Sequence, residues 1–279
     1  MLTMKAQYSL GNAESYFREH LRVGDYYAGI RQALERKNRQ RENYLIWAPP
    51  GSGKTSFVTE IANVMGVNFA KEQFFPLNLS ELPQDRMVTA LKEIEQKATR
   101  PLLCMIDEID SRSSEVWPYE EIFSCLDWNT REDHHIVFVL AGSGGKGLNG
   151  MIGAMRARPR GADLIDRIPE ARRFEIPVSD DEDRLVIFAK QALLAAAARN
   201  QELHEIERLA MYYVLKSELL STPRQLTEFA KAAVARMELA DNRLLYDHLF
   251  RLGDRQRMEF WSRNLDATKF QGSFLWISE

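Results

Sequence analysis

The sequence predicts an α/β fold: an αβα sandwich around a central parallel sheet, followed by a small all-α domain. Three observations carry this. Short apolar runs recur at residues 44–47, 74–79, 102–106 and 136–141, and stretches of helical length separate them. Those at 102–106 and 136–141 are continuously apolar rather than alternating, the pattern of strands covered on both faces. From Ser179 onward, two capping sequences and helical spacing replace the strand signals.

Taken in order, the chain opens with polar residues and then a helix over residues 13–38, with Tyr16, Phe17, Leu21, Ile30 and Leu34 at helical spacing. Its end carries Arg31, Arg36, Lys37, Arg39 and Arg41, interrupted by Glu35 and Glu42. Such a run is either a solvated helix face or a nucleic-acid contact. Next comes LIWAPPGSGKTSF, residues 45–57, in which a buried strand stops at Pro49, Pro50 and Gly51 and a helix resumes from Lys54. In a strand–loop–helix of this kind Gly51 and Gly53 let backbone N–H groups turn inward around a phosphate. Lys54 reaches the outer phosphates and Thr55 offers a hydroxyl to Mg²⁺, with Pro50, Ser52 and Ser56 completing the nucleotide-holding loop. The following helix adds its positive N-terminal end. Ala48 stands where the usual pattern has its first glycine.

The second strand spans residues 74–79, and a helix over 82–97 leads through a turn into LLCMIDEID, residues 102–110. Apolar residues ending in adjacent carboxylates describe a buried strand emerging at the sheet edge beside the phosphate loop. There Asp107 can hold Mg²⁺ through water and Glu108, pointing the other way, can polarise an attacking water; the plainer alternative is an ordinary strand end. A helix with Trp117, Tyr119, Ile122, Phe123 and Leu126 precedes the strand 136–141, which ends in Gly142, Ser143, Gly144 and Gly145. Ser143 can hydrogen-bond the water or the terminal phosphate, or serve the turn alone. His134 and His135 are adjacent on an extended segment, so their side chains diverge and do not readily share a metal.

Residues 146–178 are rich in arginine, with Leu164, Ile165 and Ile168 on a short helix and a last strand at 174–176. Arg167 can reach a phosphate in a neighbouring subunit, or pair with Asp163 or Glu170. Ser179 with Glu182 forms a capping box for a helix to residue 200, and residues 203–219 form a second helix. Thr222 with Gln225, and Pro223 at the first position, opens a third helix to residue 239. Arg224 opposes the dipole at that start, so it either serves a phosphate or is an ordinary surface arginine. The last forty residues hold Tyr246, Phe250, Phe260, Trp261, Phe270, Phe274 and Trp276, which either pack under the helical domain or meet a partner. SFLWIS, residues 273–278, can add as an edge strand.

The 279 residues are 45% hydrophobic, enough for a full core, and the net charge of −3 gives no global pull toward nucleic acid or anionic membrane. No apolar run approaches the about 18 residues of a membrane span, and the start lacks the apolar core of a signal peptide, so a cytoplasmic protein is expected. Cys104 and Cys125 are expected as inert thiols.

Together, APPGSGKT, LLCMIDEID, LAGS ending at Ser143, DLIDRIP at 163–169 and STPRQL at 221–226 resemble the AAA+ ATPase module, a P-loop NTPase, in order and spacing across residues 43–239. The resemblance implies an αβα nucleotide domain over 41–178 and a helical lid over 179–240, with a helical extension at 1–40 and an aromatic-rich one at 241–279. It implies the cofactors ATP and Mg²⁺, with Asp107 serving the metal, Glu108 and Lys54 catalysis, Ser143 as first sensor, Arg224 as lid sensor and Arg167 as the finger acting on an adjacent subunit's ATP. It differs from members that thread polypeptides, because the connection after the second strand, SELPQDRM, has neither aromatic residue nor glycine. The expected function is an ATP-hydrolysing, homo-oligomeric switch or remodeller of a separate protein partner. A nucleotide-gated DNA-binding or loading ATPase is the alternative, and a small-molecule kinase, which leaves Arg224 without a role, ranks last.

Overall fold

The computed structural model describes residues 23–36, 41–126, 134–251, 256, 259–260 and 263–276. The chain divides into two compact units, one within residues 17–178 and one from residue 179 onward.

The first unit runs α1 (Gly24–Glu35), β1 (Arg41–Trp47), α2 (Lys54–Val64), α3 (Val67–Glu72), β2 (Phe74–Asn78), α4 (Gln84–Lys97), β3 (Leu102–Asp107), α5 (Trp117–Leu126), β4 (Ile136–Gly142), α6 (Gly147–Arg156), α7 (Gly161–Asp166) and β5 (Arg173–Glu175). The strands form one parallel sheet in the order β2-β3-β4-β1-β5. Leu45, Cys104, Ile106, Phe138 and Leu140 pack on one face against Leu91, Ile94, Tyr119, Ile122, Leu164 and Ile165. Helices α1 and α2 lie on the other face, against β4 and β3. There Phe57 meets Tyr27 edge-on at 5.8 Å, and Tyr26 stacks on Phe174 at 4.0 Å. Both faces are therefore covered, the reason β3 and β4 read as unbroken apolar runs.

Two helices of this unit have no counterpart in the sequence expectations. α3 is only six residues long, too short to show a period. α6 contains Gly147, Gly150 and Gly153, which argue against a helix, but Met151 and Met155 on one face are buried and supply the packing that overrides propensity. Tyr16, Phe17, Leu21, Lys37 and Arg39 lie outside the described residues.

The second unit has the expected helices, α8 (Asp181–Ala197), α9 (Arg208–Lys216) and α10 (Pro223–Ala235), and in addition β6 (Glu205–Glu207), β7 (Arg243–Leu244) and β8 (Phe274–Trp276). These strands form a small mixed sheet with β6 between the other two, parallel to β7 and antiparallel to β8. The region is thus helical but not all-α. The Glu207 carboxylate is buried and accepts the Tyr246 N–H at 2.7 Å and the Gly272 N–H at 2.8 Å, fixing distant segments around β6. Residues 203–219 are therefore a strand and a helix rather than one helix. The capping box of α8 forms one residue later than expected, between Asp180 and Asp183, whereas that of Thr222 and Gln225 forms as read.

Arg184 on α8 and Arg199 just past its end finish the other two helices: Arg184 donates to the carbonyls of Val214, Leu215 and Ser217, and Arg199 to those of Val234 and Met237. Tyr213 is the hub of the aromatic core, with Phe250 at 4.9 Å, Phe260 at 5.0 Å and Phe229 at 5.8 Å. The C-terminal aromatics Phe250 and Phe260 thus pack inside this unit; Trp261 lies outside the described residues. Among the described residues, no helix is long and apolar enough to cross a membrane.

Candidate functional site

The site is built where β1 gives way to α2. Beyond Trp47, the Ala48 N–H still bonds the Gly142 carbonyl at 3.2 Å, so the loop leaves the sheet beside the end of β4. Gly51 at φ 79° and Gly53 at φ 91° take left-handed conformations that a side chain would strain. Ala48 is fully buried and is not among the residues of positive φ, which is why alanine serves where the usual pattern has glycine. Gly53 starts α2 without a side-chain cap and with no acid in the first turn, leaving the first N–H groups for an external acceptor.

Lys54 is only 6% exposed, and its Nζ donates to Ser143 Oγ at 2.6 Å and to the Ala48 carbonyl at 3.3 Å. Both acceptors are neutral, which leaves the ammonium charge to attract an anion. One residue on, Thr55 Oγ1 donates to Asp107 Oδ2 at 2.7 Å, while Asp107 Oδ1 accepts the Glu108 N–H at 2.9 Å. Glu108 has left β3 and sits at φ 56°, an uncommon conformation for a residue with a side chain. Its direction is set by this turn, not by the alternation of a strand as the sequence implied. The structure thus brings Lys54, Thr55, Asp107, Glu108 and Ser143 to one sheet edge, with Pro50, Ser52 and Ser56 in or beside the loop.

The arginines separate by their partners. Arg158 is spent internally: its guanidinium donates to the carbonyls of Ser111 at 3.0 Å and Arg112 at 2.9 Å and to Tyr119 Oη at 3.0 Å, and lies 4.0 Å from that ring's centre. Arg173 likewise bonds the carbonyls of Ile165 and Ile168, and burial lowers its pKa. Arg156 pairs with Asp166 and Arg160 with Asp163, both at the surface. Arg167, at the end of α7, lies over Phe123 at 3.6 Å and donates to the Asp163 carbonyl at 3.3 Å, apart from the Lys54 cluster. Arg224 stands exposed at the second position of α10, in the other unit.

The remaining candidates resolve as structure. Arg41 is buried, with Nη2 2.9 Å from His134 Nδ1, and His135 Nε2 donates to the Ala33 carbonyl at 2.7 Å. Among the described residues, no group of His, Cys, Asp or Glu is arranged to hold a metal unaided. Both cysteines are buried and unpaired; burial pushes Cys104 well up and Cys125 to about 11, the profile of unreactive thiols. From the sequence Arg158 counts only as part of the Arg156–Arg160 cluster, a candidate nucleic-acid contact or trans arginine, and Trp47 only as a strand end; the structure commits Arg158 to internal bonds instead.

Residues 44–154 match the family model described as the ATPase family associated with various cellular activities (AAA). Over 112 residues the chain is 31% identical to a probable mitochondrial chaperone, bcs1, of Schizosaccharomyces pombe, a match spanning 36% of this chain and 23% of that protein. Among solved structures, NtrX from Brucella abortus in complex with ADP aligns at TM-score 0.56 and 17% identity, over 91% of this chain and 61% of that one. A mutant of Thermotoga maritima RuvB aligns at 0.53 and 16%, over 94% and 73%. The chain thus spans about a quarter of the curated relative and about three fifths of NtrX. The segment that matches the AAA family model, residues 44–154, thus contains the glycine loop and the paired carboxylates, and the fold around it is that of the α/β P-loop neighbours.

Proposed function

We propose that the chain binds ATP at loop residues 50–56 and hydrolyses it as a homo-oligomeric switch or remodeller of a separate protein partner. The observation that carries this is the Lys54 ammonium, fixed 2.6 Å from the Ser143 hydroxyl at the start of an uncapped helix. NtrX structures in complex with ADP and with ATP support a nucleotide as ligand. In this reading the loop N–H groups cradle the phosphates, Lys54 offsets the charge on the outer ones, Glu108 takes a proton from the attacking water and Ser143 hydrogen-bonds the water or terminal phosphate. The hard oxygens of Thr55 and Asp107, 2.7 Å apart, fit a divalent cation that keeps water and phosphate in its shell. Bound there, Mg²⁺ would supply charge neutralisation at the phosphates. Residues 179–240 act as the lid, with Arg224 as its sensor, and Arg167 reaches the ATP of an adjacent subunit.

A protein partner is favoured over DNA by the state of the basic residues. Among the described residues of the two basic stretches that invite a nucleic-acid reading, Arg31 pairs with Glu35 at 2.9 Å, Arg36 with Glu42 at 2.6 Å, Arg156 with Asp166 and Arg160 with Asp163, while Arg41 is buried and Arg158 bonds internally. The description of the bcs1 relative as a probable chaperone points the same way.

The test is ATPase activity against protein concentration for the wild type and Glu108→Gln. Specific activity should rise steeply with concentration, and the substitution should cut turnover by about 10²-fold or more while ATP stays bound. Turnover that is flat with concentration, or survives the substitution, would refute the shared site and the glutamate base together.

A further inference from the structure

Asp110 closes the LLCMIDEID run and has no part in the mechanism above, yet its side chain is built into the loop that carries Ser143. Its Oδ2 accepts the Ser143 N–H at 3.2 Å and, in a shorter bond, the Gly144 N–H. The fit is also steric. A Cβ at Gly144 would overlap Oδ2, and one at Gly142 would lie 2.7 Å from Oδ1 and 2.6 Å from Met151 Sδ, so the carboxylate occupies the room these glycines leave. From the opposite side Trp47 Nε1, at the end of β1, donates to the Gly144 carbonyl at 2.9 Å. The Gly144 residue is thus held at its N–H by the turn that follows β3 and at its C=O by the strand leading into the phosphate loop.

We propose that Asp110 is a positioning residue, a latch that holds the Ser143–Gly144 turn so that the Ser143 hydroxyl stays at the Lys54 ammonium and at the phosphate under attack. It sets the rate of the chemical step without touching nucleotide; in this it rests on the ATP-hydrolysis reading. The physical need is plain from the sequence. Residues 142–145 are Gly-Ser-Gly-Gly, a run with little intrinsic preference for any conformation. A hydroxyl on such a run is placed only by what grips its backbone, and hydrogen bonds to an ionised carboxylate are the stronger kind. A misplacement of about 1 Å in such a group is enough to slow catalysis.

The experiment uses the full chain with Asp110→Ala and Asp110→Asn, the second keeping shape and one acceptor. Without nucleotide, hydrogen exchange at the Ser143 and Gly144 amides should accelerate by about tenfold or more in the alanine variant and be partly restored by asparagine. With ATP, kcat should fall by about 10–100-fold in the alanine variant while KM changes by less than about threefold, asparagine lying between. In a Ser143→Ala background Asp110→Ala should cost nothing further, because its effect passes through Ser143. Unchanged exchange, or a loss that adds to that of Ser143→Ala, would overturn the latch. A wild-type chain without ATPase activity would instead overturn the reading beneath it, and the exchange measurement would still decide whether Asp110 grips the turn.

Discussion

Arg158 and Arg167 lie nine positions apart in the same arginine-rich stretch; the structure commits Arg158 to internal bonds, whereas Arg167 is the arginine proposed to act in trans, and Arg158→Ala tests the distinction. The Arg158 guanidinium makes three hydrogen bonds of 3.0 Å or less, to the Ser111 and Arg112 carbonyls and to Tyr119, with a longer one of 3.4 Å to the Asp110 carbonyl. At about 1 kcal/mol each, the three good bonds contribute about 3 kcal/mol, and the ring contact at 4.0 Å about 1 more. Ordering the long side chain costs about 2 kcal/mol, which the mutant recovers, but it leaves turn carbonyls beside a buried tyrosine without their donor. The net loss is about 2–3 kcal/mol, or about 5–10 °C in the melting of a unit of this size. A thermal melt without nucleotide reads this. In ATPase assays run below its melt, Arg158→Ala should keep most of its activity by itself, whereas Arg167→Ala should lose it and regain it on mixing with Glu108→Gln subunits, because each supplies what the other lacks. A melt within about 1 °C of wild type, or an Arg158→Ala chain that is inactive alone and regains activity on mixing with Glu108→Gln, would refute the division of labour.

Gly161→Ala should drop the melt by more than about 10 °C, since its Cβ would overlap the Met155 carbonyl, whereas Gly153→Ala in exposed helix, with no atom within 4 Å of its Cβ, should leave it equal or slightly higher. The buried thiol of Cys125, raised from 9.0 to about 11, and the buried phenol of Tyr119, raised from 10.0 to about 12, bind their protons more tightly folded than unfolded. Their contribution is complete below pH 9.0 and is lost as pH rises through 11 and 12, so urea midpoints should be flat from pH 7 to 8.5 and fall by pH 10.5; a constant midpoint would refute it.

The central strands β3 and β4 of the first unit were legible because they are buried on both faces, which forces an apolar run with little room for compromise: Leu102 to Ile106 and Ile136 to Ala141 have no polar member at all. The short elements were not, because their cause lies elsewhere in the chain. β6 is Glu-Ile-Glu, a sequence with no strand signal beyond one isoleucine; it is a strand because β7 and β8 close on either side and Glu207 gathers the Tyr246 and Gly272 amides. α6 carries three glycines and is a helix because two buried methionines hold it.

The site divides along the same line. That Lys54, Thr55, Asp107 and Glu108 would meet in one place was readable because each is a residue type at a fixed offset from a local turn. What the sequence could not supply is the means by which separate segments are held in register, since a grip on backbone has no residue signature. Asp110 reads as one more acid at a strand end, and Trp47 as one more apolar strand residue. Only their convergence on the two sides of Gly144 gives them meaning. The Glu108 turn makes the same point in energetic form. A non-glycine residue at φ 56° costs of order 1–3 kcal/mol. That conformation persists because the Glu108 N–H is held by Asp107 and the next N–H, of Ile109, by the Ala141 carbonyl at 2.9 Å. The carboxylate is therefore aimed by bonds its own backbone makes to β3 and β4, and relaxing it by Glu108→Gly would relieve the strain while removing the carboxylate proposed above as the base. That variant should be at least as stable as the wild type by thermal melt and inactive toward ATP. A variant clearly less stable than wild type would show that the turn carries no strain.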